Sequence, residues 1–471
     1  MKGELCVSTY MKEYHQKLVT AEKAAQQIES GMVIEYGQFA TKPVDFDQAL
    51  GARANDESLC NVTVRATGGV LPVPEVVKND PQQTTFQYGS WYCTALDRKM
   101  SDLGLCVHRP FNYHEANNIG NRDYYKHLWP DVWVSQVAPM DGAGFFNFGL
   151  GNSHSFALGK RAKIRIVEVN QNLPRCLGGF EEGFHISEID YIVEGSNTPI
   201  FALPPSPEPS EAEMKIAKYI VEEITDGSCI QLGIGAMPNT IGMMLADSDL
   251  KDLGIQSEMF CDSFVAMYEA GKITNAKKNV DKYKSTYTFC LGSQQTYDFV
   301  HDNPRLASCP VEYTNDPSRI RLNDNFISIN NILEIDLLTQ ICSESKGLRQ
   351  ISGTGGQLDF VIGAYESHNG KSFLAFNSTY KDKDGVLHSR VRPLLTPGAV
   401  VTVPRTMVNW VVTEFGKVNV KGLSIWERAE AMISIAHPDF RDELIKEAEQ
   451  MKIWKPSNKL PTPESRAAVA V

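Results

Sequence analysis

The sequence predicts an α/β protein made of two similar halves, each containing an open and mostly parallel sheet. In both halves a strand leads through a glycine turn into a helix, and small or apolar residues recur at a constant offset. The matching positions are Gly31, Ile34, Gly37 and Ala40 in the first half and Gly227, Ile230, Gly233 and Ala236 in the second half. Because repeated βα units pair their strands in parallel, this repeat favours two related α/β domains.

The elements of the first half follow one another as expected for such a unit. Residues 1–19 are predicted to form a loosely held arm, and Thr20 is predicted to cap a helix that continues to about Ser30. A strand over residues 32–36 then opens into the glycine turn at Gly37. Further strands are predicted over residues 62–65, 132–137 and 164–169.

A proline-rich segment divides the chain. Four of the six residues from 204 to 209 are proline, and proline cannot continue a helix or a central strand. We therefore predict a linker at residues 204–210 between domains over residues 1–203 and 211–454. The second domain should begin with a helix over 211–225, a strand over 228–232 and a helix from about Asn239. Its tail, residues 455–471, is predicted to be unstructured.

Composition argues against several classes of function. The 471 residues carry a formal net charge of −11, whereas general binders of nucleic acid or anionic membranes need a basic face. The ten cysteines include no Cys-x-x-Cys pair and the ten histidines no His-Glu-x-x-His pattern, so we expect reduced thiols and no metal site. No apolar run approaches the roughly 18 residues of a membrane span, and the first residues lack an apolar signal core, so a cytoplasmic location is expected.

Glu258 is the candidate catalytic carboxylate. It stands among small and apolar residues just before Asp262 and Ser263, which are predicted to cap a helix that ends at Gly271. Glu258 is therefore expected in a strand-to-helix connection, at the sheet edge where reacting groups gather in α/β proteins. A carboxylate can act as a covalent nucleophile, and a glutamate already ionised at neutral pH would need no general base. An exposed loop glutamate is the alternative.

Two glycine loops could serve this carboxylate. The loop at residues 233–238 follows a strand and opens a helix, whose free N–H groups could hold an anion. Pro238 stands where the dinucleotide fingerprint would need a third glycine. The loop at residues 353–357 lacks the lysine of a P-loop but could direct backbone N–H groups at a carbonyl oxygen. A tight structural turn and a flexible hairpin loop, respectively, are the alternatives.

An ordered set of motifs spans the chain from about Tyr14 to about Trp454. The set comprises Gln136–Asp141, Pro174–Gly179, Gly233–Pro238, Ser257–Met259, Gly355–Phe360, Val411–Gly416, Glu427–Ala429 and Ile435–Arg441. Together these motifs resemble the acetyl-CoA hydrolase/4-hydroxybutyrate CoA-transferase family. The stretch before Met11 and the proline-rich tail depart from the family pattern.

The resemblance implies two α/β domains of the family I CoA-transferase type with the active site between them. It implies that Glu258 becomes a glutamyl-CoA thioester, that Asn330 orients this glutamate, and that two glycines lie near the thioester oxyanion. Those glycines are Gly355 and Gly356. The residues expected to contact CoA are Gln231, Leu232, Gly233, Ile234, Gly235, Ala236, Gly356 and Gln357.

The resemblance also implies an activity. CoA would pass between a short-chain acyl-CoA, expected to be butyryl-CoA, and acetate by a ping-pong mechanism without a metal. The alternatives are a 4-hydroxybutyrate or propionate CoA-transferase, an acetyl-CoA hydrolase, and a non-enzymatic acyl-CoA sensor. The expected partners are acyl-CoA and short-chain carboxylates, in a homo-oligomer.

Two further hypotheses concern the ligand. Phe39, Trp91, Met140 and Phe146 lie in loops of the first half that could line the acyl pocket, but packing in the core is the favoured prediction for these side chains. Lys371 is a candidate contact for a CoA phosphate, with a solvated lysine as its alternative.

Overall fold

The computed structural model describes residues 2–116, 129–205, 207–233 and 235–455, with side chains from residue 10 onward. Its two large sheets confirm the predicted α/β class. The first sheet has seven strands in the order β4-β3-β2-β1-β5-β7-β9, and the second has eight in the order β13-β12-β11-β10-β14-β19-β23-β24. All neighbouring strands in them are parallel except β23 and β24.

The strands of the first half are β1 Val33–Tyr36, β2 Val62–Ala66, β3 Phe86–Ser90, β4 Val107–His108, β5 Val132–Val137, β6 Phe145–Asn147, β7 Ile164–Val169, β8 Gly183–His185 and β9 Tyr191–Glu194. The strands of the second half are β10 Cys229–Leu232, β11 Gly254–Phe260, β12 Ser285–Cys290, β13 Leu306–Ser308, β14 Phe326–Asn331, β15 Glu334–Asp336, β16 Ile341–Cys342, β17 Ser345–Lys346, β18 Arg349–Gln350, β19 Lys371–Ala375, β20 Thr379–Lys381, β21 Leu387–Ser389, β22 Val391–Arg392, β23 Trp410–Thr413 and β24 Gly416–Asn419.

The described α-helices are Lys2–Lys17, Ala21–Ala25, Val44–Gly51, Glu75–Lys78, Ala95–Asp102, Ser155–Arg161, Glu211–Val221, Ala236–Asp247, Asp262–Glu269, Gln294–Val300, Val311–Thr314, Pro317–Ile320, Gln357–Glu366, Ile425–Ile435 and Pro438–Gln450. Among these described helices, none is both long and apolar enough to cross a membrane.

The two sheets share one topology. Strands β1 and β10 are both central, and each pairs with the next strand on one side and with β5 or β14 on the other. The predicted strands over residues 62–65, 132–137 and 164–169 correspond to β2, β5 and β7. Every residue of β5 and of β12 is buried, as expected for parallel strands covered on both faces. The repeat read from the glycine turns is therefore a repeat of the whole sheet.

The N-terminal segment differs from the prediction. Residues 2–17 form a helix rather than a loose arm, and buried Tyr14 donates a hydrogen bond from its hydroxyl to Glu194 Oε1 at 3.2 Å. Thr20 caps the next helix as predicted, but that helix ends at Ala25 instead of Ser30. The reason is that the N–H groups of Gln27 and Ile28 bond carbonyls three residues back, which tightens and closes the last turn.

The prediction that Glu258 lies in a connection is wrong, because Glu258 lies inside strand β11. Met259 and Phe260 still pair with Phe289 and Cys290 of β12, so the ladder continues past the glutamate. The following helix begins at Asp262, with Cys261 as its N-cap and no side-chain capping bond.

Asp262 has another role than the predicted cap. Its Oδ1 accepts hydrogen bonds from the Ser293 N–H and hydroxyl and from the Thr296 hydroxyl. The helix predicted from about Asn239 starts earlier, at Ala236, and the one predicted over 211–225 ends at Val221.

Added strands in the second half precede and follow the glycine loop in the chain. Strands β15, β16 and β22 form a small sheet, and β17 and β18 form a hairpin. This hairpin reaches the first half, where both nitrogens of the Arg349 fork bond the Asp102 carboxylate at 2.6 and 2.8 Å. The described residues of the proline-rich segment form neither helix nor strand, and the domain boundary there stays a prediction.

Candidate active site

Glu258 lies in the wall of two adjoining pockets. The first, here called the glycine-loop pocket, is lined by Gln231, Leu232, Gly233, Asn330, Asn331, Ser343, Gln357 and the segment 352–356, among others. The second, here called the aromatic pocket, is lined by Phe39, Thr67, Trp91, Phe111, Tyr113 and Phe289. Tyr92, Glu258 and Gly355 belong to both. A group bound in either pocket can therefore reach the Glu258 carboxylate.

Within the part of the chain that the structure describes, two groups interact with the Glu258 carboxylate. The Asn315 Nδ2 donates to Oε2 at 2.7 Å, and the backbone N–H of Gly356 also bonds the carboxylate. Burial raises the pKa of Glu258 to about 7, and the charge of Asp359 adds to the rise, while Asn315 and Gly356 oppose it. The expectation that Glu258 is fully ionised at neutral pH is therefore not met, because a pKa of about 7 leaves both forms populated there.

The glycine loop is fixed in shape by bonds on both sides. Gly355 has a φ of +55°, a left-handed conformation that favours glycine, and its carbonyl accepts the Tyr113 N–H at 3.2 Å. On the other side, buried Glu344 accepts the Thr354 hydroxyl at 3.2 Å, and its carbonyl accepts the N–H groups of Ile351 and Ser352. The loop thus presents backbone to Glu258 at a defined place, and helix Gln357–Glu366 starts directly after it.

Asn330 does not make the contact that was expected of it. It lines the glycine-loop pocket, but its amide bonds Gln231 at 3.2 and 3.3 Å and the Ser328 hydroxyl at 2.9 Å. Asn315 makes the bond to Glu258 instead. Asn315 was not predicted from the sequence, because the two residues joined by its hydrogen bond to Glu258 are 57 positions apart in the chain.

The predicted CoA-contacting residues divide into two groups. Of those the structure describes, Gln231, Leu232, Gly233, Gly356 and Gln357 line the glycine-loop pocket. Gly235, with a φ of +128°, and Ala236 begin helix Ala236–Asp247 and are not in that lining. Ile234 falls outside the described residues.

The aromatic pocket contains only two of the four side chains considered for the acyl site. Phe39 and Trp91 are in its wall, whereas Met140 and Phe146 pack in a separate cluster around Trp133. Phe39 stacks on Phe289 of β12 with ring centroids 4.9 Å apart. Phe111, Tyr113 and Phe289 were not predicted to line this pocket, because only the folded chain brings the three together.

Lys371 is not a free cation for a phosphate. Its Nζ bonds the Glu223 carboxylate at 2.7 Å and the Glu223 carbonyl at 3.1 Å. Within the described ranges, no group of three or more His, Cys, Asp or Glu side chains is placed to hold a metal ion.

Two family models match this chain. The acetyl-CoA hydrolase/transferase N-terminal domain matches residues 5–204, and the C-terminal domain of the same name matches residues 292–448. The chain belongs to the acetyl-CoA hydrolase/transferase family. This membership confirms the resemblance that the ordered motifs indicated.

Curated relatives of this family member are similar over their whole length. The butyryl-CoA:acetate CoA-transferase of Anaerostipes caccae is 49% identical over 96% of this chain and 100% of its own. The probable butyrate:acetyl-CoA coenzyme A-transferase of Syntrophomonas wolfei is 48% identical over 96% of this chain and 99% of its own. These relatives place the chain among the CoA-transferases.

Solved structures with the same fold support this assignment. RipA from Yersinia pestis superposes with a TM-score of 0.84 at 35% identity, covering 94% of this chain and 99% of its own. The 4-hydroxybutyrate CoA-transferase from Porphyromonas gingivalis superposes with a TM-score of 0.75 at 30% identity, covering 94% and 100%. The predicted CoA-transferase type of fold is confirmed.

Proposed function

We propose that this enzyme transfers CoA between a short-chain acyl-CoA, butyryl-CoA in the first instance, and acetate. The observation that carries the proposal is the position of Glu258 in the walls of both an aromatic pocket and a glycine-loop pocket. One pocket suits an acyl chain and the other the pantetheine end of CoA. The names of the relatives from Anaerostipes and Syntrophomonas support butyrate and acetate as the acids.

The reaction uses the carboxylate of Glu258 as the nucleophile. Its oxygen attacks the acyl-CoA carbonyl carbon, the C–S bond breaks, and a mixed anhydride and CoA thiolate form. The thiolate then attacks the Glu258 carbonyl carbon, which releases the first acid as its carboxylate and leaves a glutamyl-CoA thioester. Acetate repeats these two steps in reverse. One thioester is exchanged for another, so the overall reaction needs no added energy source.

The backbone around Glu258 suits this chemistry. The N–H of Gly356 bonds the carboxylate, and an N–H in that place can stabilise the oxyanion that forms during each attack. Attack requires the ionised form of Glu258, so a pKa of about 7 makes the first step slower in mildly acidic solution. Burial that raises this pKa also keeps water from the thioester, which favours transfer to acetate over hydrolysis.

The aromatic pocket is proposed to select short acyl chains. Its walls are closed by rings from both halves of the chain, with Phe39 against Phe289 and Trp91 against Phe111. A longer chain would have to displace these rings, and displacement of packed core side chains is costly. The expected homo-oligomer and cytoplasmic location stay predictions.

The test is acyl-CoA formation from labelled acetate and butyryl-CoA, with Glu258→Gln compared with the control Glu57→Gln. Glu57 is exposed and is not part of the lining of either pocket. The proposal expects acetyl-CoA to appear with ping-pong kinetics, Glu258→Gln to lose at least about a thousandfold in kcat/KM, and the control to match wild type. CoA release that is equally fast with and without acetate would contradict transfer.

A further inference from the structure

A histidine of the first half is bonded to a buried aspartate of the second half beside the active site. His114 Nδ1 and Asp359 Oδ1 are 2.7 Å apart, and the backbone N–H of His114 donates to Asp359 Oδ2 at 3.1 Å. The Asp359 side chain is 2% exposed and that of His114 is 25% exposed. Both oxygens of the aspartate are thus occupied by one residue from the opposite half.

Asp359 is also connected to the nucleophile through Asn315. The Asn315 side chain hydrogen-bonds Asp359, and its Nδ2 donates to Glu258 Oε2 at 2.7 Å. Its Oδ1 has no hydrogen-bond partner among the described atoms. The Asn315 amide thus interacts with two carboxylates, while its oxygen is unpaired among the described atoms. Asp359 therefore fixes the direction in which Asn315 donates to Glu258.

The segment that carries His114 also contacts the glycine loop. The N–H of Tyr113, the preceding residue, donates to the carbonyl of Gly355 at 3.2 Å. The first half thus contacts the nucleophile's surroundings at two adjacent points, one on the loop and one on Asp359.

The charged groups around His114, Asp359 and Glu258 have opposing effects on the pKa values of these residues. The charge of Asp359 acts on Glu258, Tyr92 and Tyr113 share a pocket wall with Glu258, and the charges of Glu115 and Asp316 act on His114. Burial lowers the pKa of His114, but the hydrogen bond and charge of Asp359, with Glu115 and Asp316, raise it more, so the net shift is upward. A protonated His114 offsets the negative charge of Asp359, which otherwise disfavours ionisation of Glu258.

We propose that His114 and Asp359 form a positioning pair, in which Asp359 holds the Asn315 amide on Glu258 and His114 supplies the compensating positive charge. With His114 beside it, Asp359 can orient the Asn315 amide without suppressing the ionisation of Glu258, which has to be anionic to react. This inference rests on the proposed role of Glu258 as the nucleophile. Neither residue contacts the reacting atoms.

The test is the pH profile of kcat/KM for butyryl-CoA in the full-length protein, for His114→Asn, Asp359→Asn and the double variant. Asparagine at 114 keeps a side-chain N–H donor and removes the charge, and asparagine at 359 keeps the shape and removes the charge. The acid limb of this profile reports the ionisation of the free enzyme's essential groups. For wild type its midpoint is expected at about 7.

The two single variants should move the acid limb of the pH profile in opposite directions. His114→Asn should move the acid limb to higher pH and Asp359→Asn should move it to lower pH, each by about one unit, which is about tenfold in the ionised fraction well below the midpoint. The double variant should lie between them. If Asp359→Asn does not fold, the direction of the shift in His114→Asn alone decides.

The proposed positioning pair would be contradicted if the acid limb did not move in the two single variants, or moved in the same direction in both. A uniform loss of kcat at every pH would also overturn it, because that is the result of a purely structural contact. These outcomes are distinct from failure of the proposed function, in which wild type itself would not transfer CoA to acetate.

Discussion

Gly356 packs so closely on Glu258 that a β-carbon at position 356 would lie 2.1 Å from Glu258 Oε2. The same β-carbon would also lie 2.1 Å from Asn315 Nδ2. Only glycine therefore allows the loop, the carboxylate and its amide partner to meet. The absence of a side chain here serves the nucleophile directly.

Gly356→Ala is predicted to lower transferase activity strongly without unfolding the protein. The methyl group would push the Glu258 carboxylate or the Asn315 amide aside, and displacement of about 1 Å at a reacting group can cost on the order of a hundredfold in rate. The measurement is kcat with butyryl-CoA and acetate, together with thermal unfolding. Gly142→Ala is the matched control, since a β-carbon there meets nothing within 4 Å. Equal activity of both variants would contradict the close approach.

Phe111→Ala is predicted to shift the enzyme towards longer acyl chains. Phe111 lies in the wall of the aromatic pocket and packs edge-on against Trp91 with centroids 4.8 Å apart, so its removal extends the pocket. Two additional methylenes can then be buried, worth about 0.8 kcal/mol each, or about tenfold in total. The measurement is the ratio of kcat/KM for hexanoyl-CoA to that for butyryl-CoA.

The control for the pocket is Phe180→Ala, because Phe180 is 44% exposed and outside the aromatic pocket. It should leave the ratio unchanged. An unchanged ratio in Phe111→Ala would show that the acyl chain lies elsewhere.

Glu35→Gln is predicted to destabilise the first half at neutral pH. Glu35 accepts Arg65 Nε at 2.7 Å and Trp91 Nε1 at 2.9 Å, and both charged side chains are at most 1% exposed. Loss of the carboxylate leaves the buried guanidinium unpaired, which costs about 3–5 kcal/mol. Denaturant unfolding of Glu35→Gln and of the exposed control Glu57→Gln measures the difference.

The loss of stability caused by Glu35→Gln should depend on pH in a defined direction. Burial alone would raise the pKa of Glu35, but the charge of Arg65 and the bonds from His154 and Trp91 lower it below its usual value. A lowered folded-state pKa adds stability above the unfolded-state pKa, and that stability is lost as the pH falls through the folded-state pKa. The penalty of Glu35→Gln should therefore shrink in acid, and a penalty that grows in acid would contradict the pairing.

The sequence predicted the repeated sheet because its signal is local. The strand, the glycine turn and the helix that follow Gly31 and Gly227 are adjacent in the chain, and so are the strands at 132–137 and 164–169. The helix at residues 2–17 was missed because a non-local contact holds it, from Tyr14 to Glu194, across 180 positions. Local polarity gave no indication of that partner.

The candidate site was predictable in its residue types but not in its geometry. Glu258 was found from its apolar neighbours, and the glycines from their spacing. Its place inside β11 depends on pairing with β12, and its pKa of about 7 depends on burial between two halves. Asn315 and the His114–Asp359 pair come from separate parts of the chain, so no local pattern could have associated them with the nucleophile.

The most direct test of Glu258 as the CoA carrier is hydride trapping followed by peptide mass spectrometry. The enzyme is incubated with butyryl-CoA in the absence of acetate and treated with borohydride, which reduces a thioester to a primary alcohol but leaves a free carboxylate intact. The predicted result is reduction that is confined to the peptide containing Glu258 and depends on butyryl-CoA. Adding acetate before the borohydride should prevent this reduction, because acetate discharges the thioester. Reduction at another carboxylate, or none in an enzyme that still transfers CoA, would contradict the account.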